Sequence, residues 1–369
     1  MKLRTLEAFV YRAPVETPVV TSFGTMRDRP MALVRAADED GMEGWGEIWC
    51  NFPTVGAEHR ARLVESVLAP LAVGREFASP QDAFAFLGER TAVLAIQSAE
   101  PGPFAQAIAG VDIALWDLHA KRAKQPLWRL LGGRAGTVPV YASGINPDAP
   151  ERLAAARLAE GYRAFKLKVG FGPERDLANL RALRAVVGDL PLMVDANQGW
   201  DLATAADMAK RMASFHLGWL EEPLRADRPW SEWQRLKDGL PLAGGENIAG
   251  RDAFDAALAA DALAVVQPDL CKWGGFSGCL PVARAILAAG KRYCPHYLGG
   301  GVGLLASAHL LAAAGGDGLL EIDANPNPLR TLTCGPLARV QDGAATLSDS
   351  PGLGLEFDPA TLAGYAVAP

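Results

Sequence analysis

From Val138 onward the chain alternates short apolar runs with longer stretches rich in Ala and Leu at helical spacing. The short runs are Val138–Ser143, Ala164–Val169, Leu192–Asp195, Trp219–Glu222, Leu242–Glu246, Val265–Asp269, Arg292–His296 and Leu319–Ile322, with segments such as Pro150–Glu160 and Thr204–Phe215 between them. Runs of this length read as strands covered on both faces, and the intervening periodic stretches read as helices. Strictly alternating strands and helices predict successive parallel βα units. The first part of the chain has a different rhythm. Ala32–Ala36 and Gly44–Trp49 flank Asp38-Glu39-Asp40-Gly41, a strand–turn–strand signal. Helical periodicity follows over Glu58–Leu71 and Pro80–Leu94, then over Phe104–Leu131, which predicts one buried helix ending before Gly132-Gly133. Strands followed by helices predict an α+β unit preceding the βα repeats.

The polar residues closing the apolar runs are spaced as regularly as the runs themselves. Lys168, Asp195, Glu221, Glu246, Asp269, His296 and Glu321 follow one another at steps of 27, 26, 25, 23, 27 and 25 residues. A strand, a crossover helix and two short loops occupy about that length. Each polar residue therefore falls at the same place in its unit. In a parallel barrel that place is the C-terminal mouth, where active sites assemble.

Three consecutive strands end in a carboxylate: Asp195, Glu221 and Glu246. Converging acids repel one another in a low dielectric, and a hard divalent cation removes that cost. Three carboxylates with room for water and substrate suit one Mg²⁺ per site. Lys166 and Lys168, two apart on one strand, face the same side, and a second ammonium and a metal nearby should lower the Lys168 pKa enough for it to act as a base. Asp269 and His296, on neighbouring strands, form a pair in which the carboxylate fixes the imidazole tautomer. His59, His119, His216 and His309 lack such context and read as structural, with His59 also a candidate lid contact.

Composition narrows the class further. Of 369 residues half are hydrophobic, and the net charge of −6 gives no basic field for nucleic acid. No run approaches a membrane span of about 20 apolar residues, and the residues after Met1 lack a signal-peptide apolar core. Five cysteines at unpatterned spacings suggest a reduced, cytoplasmic protein, with Cys271 and Cys294 as buried thiols.

Together these motifs resemble the mandelate racemase subgroup of the enolase superfamily. The likeness rests on Lys166-x-Lys168, Asp195-x-Asn197, Glu221-Glu222-Pro223, Gly245-Glu246-Asn247, Pro268-Asp269-x-x-Lys272-x-Gly274-Gly275, Pro295-His296 and Glu321. Ile113–Leu118, leading into Leu130–Gly133, is similar as well. The resemblance implies an α/β fold: a (β/α)7β modified TIM barrel over 134–333, capped by an α+β domain over 1–133 that the 334–369 segment returns to complete. It implies Asp195, Glu221 and Glu246 as Mg²⁺ ligands, Lys168 as the base on one face of the substrate, and His296, oriented by Asp269, as the acid/base on the other. Lys166 would depress the Lys168 pKa, Glu321 would be a protonated donor to the substrate carboxylate, and Asn197 would lie near metal and substrate. Lids at 16–30 and 51–59 would bring Arg27 and Asn51 to the substrate. Muconate-lactonizing relatives place a catalytic lysine where Lys272 stands, but the Asp269–His296 pair makes Lys272 secondary.

The implied chemistry is removal of the proton α to a carboxylate in a small molecule. Dehydration of an acid sugar is the first expectation. Racemisation or epimerisation of a 2-hydroxy acid or amino-acid derivative by the two facing bases is the alternative, and a Schiff-base aldolase a remote third. The resemblance also implies a homo-oligomer.

Overall fold

The computed structural model describes residues 1–21, 24–355 and 358–368. Residues 22 and 23, inside the expected lid, and 356, 357 and 369, inside the C-terminal segment, lie outside the described residues. The first part of the chain builds an antiparallel sheet from β1 (Leu3–Thr21), β2 (Gly24–Asp38) and β3 (Glu43–Ile48). Helices follow as α1 (Gly56–Leu63), a π turn at Val64–Leu68, α2 (Ala69–Ala72), α3 (Pro80–Gln97), α4 (Pro101–Arg122) and α5 (Leu127–Leu130).

The long helix expected over 104–131 therefore divides. Its first part ends at Arg122, Lys124 takes a positive φ, and Pro126 caps the short α5. Proline lacks the N–H that a continuing helix would need. α4 is buried on most of its circumference because β3 lies on one side and the barrel on the other. Glycine permits the close approach of β3: a Cβ on Gly46 would stand 2.0 Å from the Gly110 carbonyl oxygen.

The barrel strands are β4 (Thr137–Ile145), β5 (Phe165–Lys168), β6 (Leu192–Asp195), β7 (Leu220–Glu221), β8 (Leu242–Gly244), β9 (Val265–Val266), β10 (Arg292–Tyr293) and β11 (Leu320–Asp323). The parallel ladder runs from β10 in descending order to β4, and β4 pairs in parallel with β11. Outside it lie α6 (Pro150–Ala159), α7 (Pro173–Val187), α8 (Leu202–Met212), α9 (Trp230–Gln234), α10 (Arg251–Ala260), α11 (Gly275–Ala288) and α12 (Gly301–Ala314), with the short α13 (Pro328–Thr333) after β11. This is a (β/α)7β barrel with an α+β cap. β12 (Ala344–Thr346) runs antiparallel to β4, and β13 (Ala366–Val367) adds to β1 with Val367 opposite Val10.

Strand alternation fills the barrel in layers. Tyr141, Ala164, Met193, Trp219, Ala243, Val265 and Cys294, with Leu319 packed against them, form a dry floor. Two residues further along each strand come Ser143, Lys166, Asp195, Glu221, Gly245, Gln267, His296 and Glu321. The apolar floor thus supports a polar layer. At Gly245, a Cβ would lie 2.7 Å from the Gln267 backbone nitrogen, so this strand adds no side chain there and its carboxylate follows one residue later, at Glu246.

The cap is fastened to the barrel by buried polar contacts. Glu47 of β3 accepts hydrogen bonds from the backbone N–H of Gly300 (2.5 Å) and Gly303 (2.8 Å), where a carboxylate meets the positive end of α12. Arg29 of β2 pairs with Asp323 of β11 at 2.8 Å, both buried. His309 of α12 accepts from Trp128 N–H at 3.0 Å and donates to the Leu353 carbonyl at 3.2 Å, which joins barrel, cap and C-terminal segment.

Candidate active site

A cavity of about 180 Å³ opens at the barrel mouth, lined by Lys168, Asn197, Glu246, Lys272 and His296 among others. The cap closes it with Met26, Trp49, Asn51 and Phe52. The first expected lid is not a loop: it is the distal part of the β1–β2 hairpin, paired as far as Thr21 opposite Gly24. Alternation along β2 then decides which side chains face inward. Met26 is buried against the cavity and Arg27 is exposed, so the expected Arg27 contact is replaced by Met26. Asn51 does reach the cavity, and its amide donates to the Leu298 carbonyl at 2.5 Å.

Below the cavity the polar layer is a network of ion pairs. Lys166 Nζ donates to both Glu221 oxygens (2.6 and 2.7 Å) and lies 2.8 Å from Glu321 and 3.6 Å from Asp195. Lys168 Nζ donates to Asp195 Oδ2 at 2.6 Å. Asn197 donates to the other Asp195 oxygen from its backbone N–H at 2.8 Å. His296 spans two acids, with Nδ1 2.8 Å from Asp269 and Nε2 2.6 Å from Glu246. Asp269 is itself fixed by the backbone N–H groups of Cys271 (2.8 Å) and Lys272 (3.1 Å). Glu321 accepts from Ser143 and from the Tyr297 N–H at 3.0 Å.

Two groups in this network have their proton affinity set by the surrounding ion pairs. Burial lowers the Lys168 pKa, as does Lys166, yet the net shift is upward because Asp195 and Glu221 outweigh them. Burial favours the protonated Glu321, yet Lys166 and His296 hold its pKa below the ordinary carboxylate value. The same balance raises Lys166 and His296 well above their usual ranges despite burial, through Glu221 and Glu246 respectively and with Glu321 helping both.

The carboxylates fit a divalent cation by their chemistry. Among the described residues no three His, Cys, Asp or Glu side chains are gathered closely enough to ligate a metal as they stand, because each of Asp195, Glu221 and Glu246 is turned to a cationic side chain. Six acids nonetheless share the mouth (Asp195, Glu221, Glu222, Glu246, Asp269 and Glu321) against Lys166, Lys168, Lys272 and His296. Burial, with Glu246 and Asp195 nearby, pushes Glu222 well above its usual range. Burial pushes Glu221 up to about 7, even beside Lys166. Carboxylates in that condition are relieved by added positive charge, and an all-oxygen set suits Mg²⁺.

Sequence reasoning missed Ser143, Gln267 and Trp219. Gln267 Nε2 (2.8 Å) and Trp219 Nε1 (3.1 Å) both donate to Glu221 Oε2. Gln267 lies two before Asp269, so strand alternation was the signal available for it. Lys272 faces the cavity, donating to Asn247 at 2.9 Å with its Nζ 4.6 Å from the Trp49 ring centre. The five cysteines are free and buried, and burial lifts Cys271 well above its ordinary value and Cys294 up to about 12. Among the described residues no helix is long and apolar enough to cross a membrane.

Comparison with known proteins gives a consistent set of likenesses. Residues 5–132 match the mandelate racemase/muconate lactonizing enzyme N-terminal domain, and residues 149–361 match the enolase C-terminal domain-like family. A crystal structure described as mandelate racemase/muconate lactonizing enzyme from Bordetella bronchiseptica RB50 is 59% identical, with a TM-score of 0.94 and 99% of each chain covered. A racemase from Streptomyces coelicolor A3(2) with bound magnesium is 31% identical, with a TM-score of 0.89, covering 99% of this chain and 100% of that one. D-galactarolactone cycloisomerase from Agrobacterium fabrum (strain C58) is 32% identical over 99% of both chains. Further relatives include arabinonate dehydratase, L-talarate/galactarate dehydratase and N-succinylamino acid racemase.

Proposed function

The chain belongs to the mandelate racemase/muconate lactonizing enzyme subgroup of the enolase superfamily, and from that premise we propose that this enzyme removes the proton α to the carboxylate of an acid sugar and then eliminates a β-hydroxyl. The observation that carries this reading is the pairing of Lys168 with an Asp269-oriented His296 in one cavity. Around the barrel they are separated by two strands one way and four the other, so they face the same ligand from different sides.

Asp195, Glu221 and Glu246 would hold one Mg²⁺, which when bound supplies positive charge against the enediolate left by proton removal. Asp195 is the carboxylate that raises Lys168, and a cation held there would offset it and favour the neutral amine that a base requires. Lys168 takes the α-proton. His296, held by Asp269 with its Nε2 toward the cavity, protonates the departing hydroxyl. Glu321, with Lys166 2.8 Å away, completes the polar floor below the substrate carboxylate. Lys166 positions Glu221 and Glu321, Asn197 holds Asp195, and Asn51 with Trp49 and Met26 excludes water.

The acid-sugar part rests on the names of relatives such as the galactarolactone and arabinonate enzymes, together with the polar side chains, among them Asn51, Asn197, Gln198 and Asn247, that share the cavity wall with apolar ones. Racemisation or epimerisation remains a second reading because the same two groups can remove and return one proton, and one similar structure is a racemase. A Schiff-base aldolase gives Asp195, Glu221 and Glu246 no task. The substrate in every retained reading is a small carboxylate, and a homo-oligomer is proposed on family likeness alone.

The deciding experiment is a panel of mono- and diacid sugars, hydroxy acids and amino-acid derivatives followed by NMR in D₂O with Mg²⁺. Elimination with solvent deuterium in the product supports dehydration, and exchange with inversion but no elimination selects the racemase. α-Proton exchange that persists in a Lys168→Ala, His296→Asn double variant removes both residues from their proposed roles.

A further inference from the structure

The outer ring of the barrel is thin after β11. Among the described residues, α6–α8 and α10–α12 run for 10 to 15 residues, whereas β11 is followed only by the six-residue α13 and the turn at Gly335–Ala338, much as β7 is followed only by the five-residue α9. Between α12 and α6 this leaves a cavity of about 600 Å³ on the flank, outside the barrel wall and away from the mouth. Leu304 and the outward-facing Ile322 form part of its lining. Arg157, Arg330 and Arg339 also line it, with Glu160 as the only acid lining it among the described residues.

These guanidiniums are incompletely satisfied. Arg157 donates to Glu160 at 2.5 Å through Nη1, but its buried Nε has no acceptor. Arg330 donates to the Asn325 carbonyl at 3.1 Å through Nη2. Its buried Nη1 has no hydrogen-bond acceptor and stands 3.6 Å from Asp323. Arg339 is exposed, and among the described residues no carboxylate pairs with it. Beyond the Arg157–Glu160 and Arg330–Asp323 ion pairs, two buried N–H groups without a protein acceptor and the exposed Arg339 guanidinium leave this wall with donors and positive charge to offer an anion. The planar N–H fork of arginine matches the oxygens of phosphate and carboxylate. The volume lies within the range of small-molecule sites.

We propose that this flank cavity is a second binding site, separate from the barrel mouth, for a small anion bearing phosphate or carboxylate groups. The test is calorimetric titration of the magnesium-loaded protein with inorganic phosphate and, separately, with succinate, at ionic strength held constant with NaCl. At least one probe should bind saturably at one site per chain, and the tighter of the two identifies which oxyanion the cavity takes. Binding should weaken at least tenfold in an Arg157→Gln, Arg339→Gln variant and stay unchanged in Lys168→Ala, which alters only the mouth. Arg339→Glu alone, at an exposed position, gives the same readout if the double variant does not fold, and should also weaken binding. Absence of saturable binding by both probes overturns the proposal, as does binding undiminished by the arginine substitutions.

Discussion

Lowering the pH should destabilise this fold through one neutral histidine remote from the mouth. His309 is buried in α12 with both ring nitrogens engaged, accepting from Trp128 N–H and donating to the Leu353 carbonyl. Burial lowers its pKa to about 3, against 6.5 for an ordinary imidazole, and the Leu353 bond offsets only part of that. A group whose folded pKa is depressed binds its proton more readily when unfolded. The stability due to neutral His309 is therefore complete above 6.5 and is lost progressively as pH falls from 6.5 toward about 3. At pH 5 the unfolded imidazole is about 1.5 units below its own pKa while His309 in the fold remains neutral, which amounts to about 2 kcal/mol at roughly 1.4 kcal/mol per unit. The assay is equilibrium urea unfolding of wild type and His309→Gln at pH 7.5 and pH 5. Glutamine keeps a neutral acceptor and donor but does not titrate. Wild type should lose about 2 kcal/mol more than the variant between the two pH values, whatever their difference at pH 7.5. Equal losses would refute the assignment of a neutral, proton-excluding His309.

Three further outcomes follow from the site and its supports. Chelation with EDTA should abolish turnover and Mg²⁺ restore it, and turnover that survives chelation removes the metal from the mechanism. Asp269→Asn should slow the step carried by His296 by about 10²–10⁴-fold without changing Mg²⁺ affinity; an unaltered rate in the substrate assay would leave Asp269 a purely structural acid. Arg29→Met should cost roughly 1–3 kcal/mol in urea unfolding, because the buried Asp323 carboxylate loses its nearest cation and keeps only Arg330 at 3.6 Å and the Asn325 donors. Arg27→Ala, on the exposed face of the same strand, should leave the midpoint unchanged.

Much of the barrel was legible in the linear chain because its strands are short, apolar and evenly spaced. Phe165–Lys168, Leu192–Asp195, Leu220–Glu221 and Leu320–Asp323 fall within or overlap the runs read from hydrophobicity alone. Composition was less informative about the cap. There an apolar pattern continuous from Phe104 to Leu131 concealed the break after Arg122, since α4 and α5 bury surface almost equally and Pro126 was the only local sign. The lid was misread for a related reason. Glu16–Pro30 carries turn-forming residues, but its backbone groups are paired along much of the β1–β2 hairpin, and that pairing is a contact between segments.

What the sequence determined by itself was the period: a charged or imidazole side chain in seven of the eight apolar runs, and hence which side chains can reach a common mouth. That follows from local geometry, since strand alternation and a nearly constant βα length repeat the same position in every unit. Only the tertiary structure decided how those charges are poised. Lys168 reads as a lysine whose pKa a metal and a second ammonium should lower; the barrel also sets Asp195 2.6 Å from its Nζ, which raises it. Around Glu321, burial favours the protonated acid while Lys166 and His296 draw its pKa down. Proton affinity depends on distance and burial among groups drawn from eight strands, and those quantities arise only when the barrel closes.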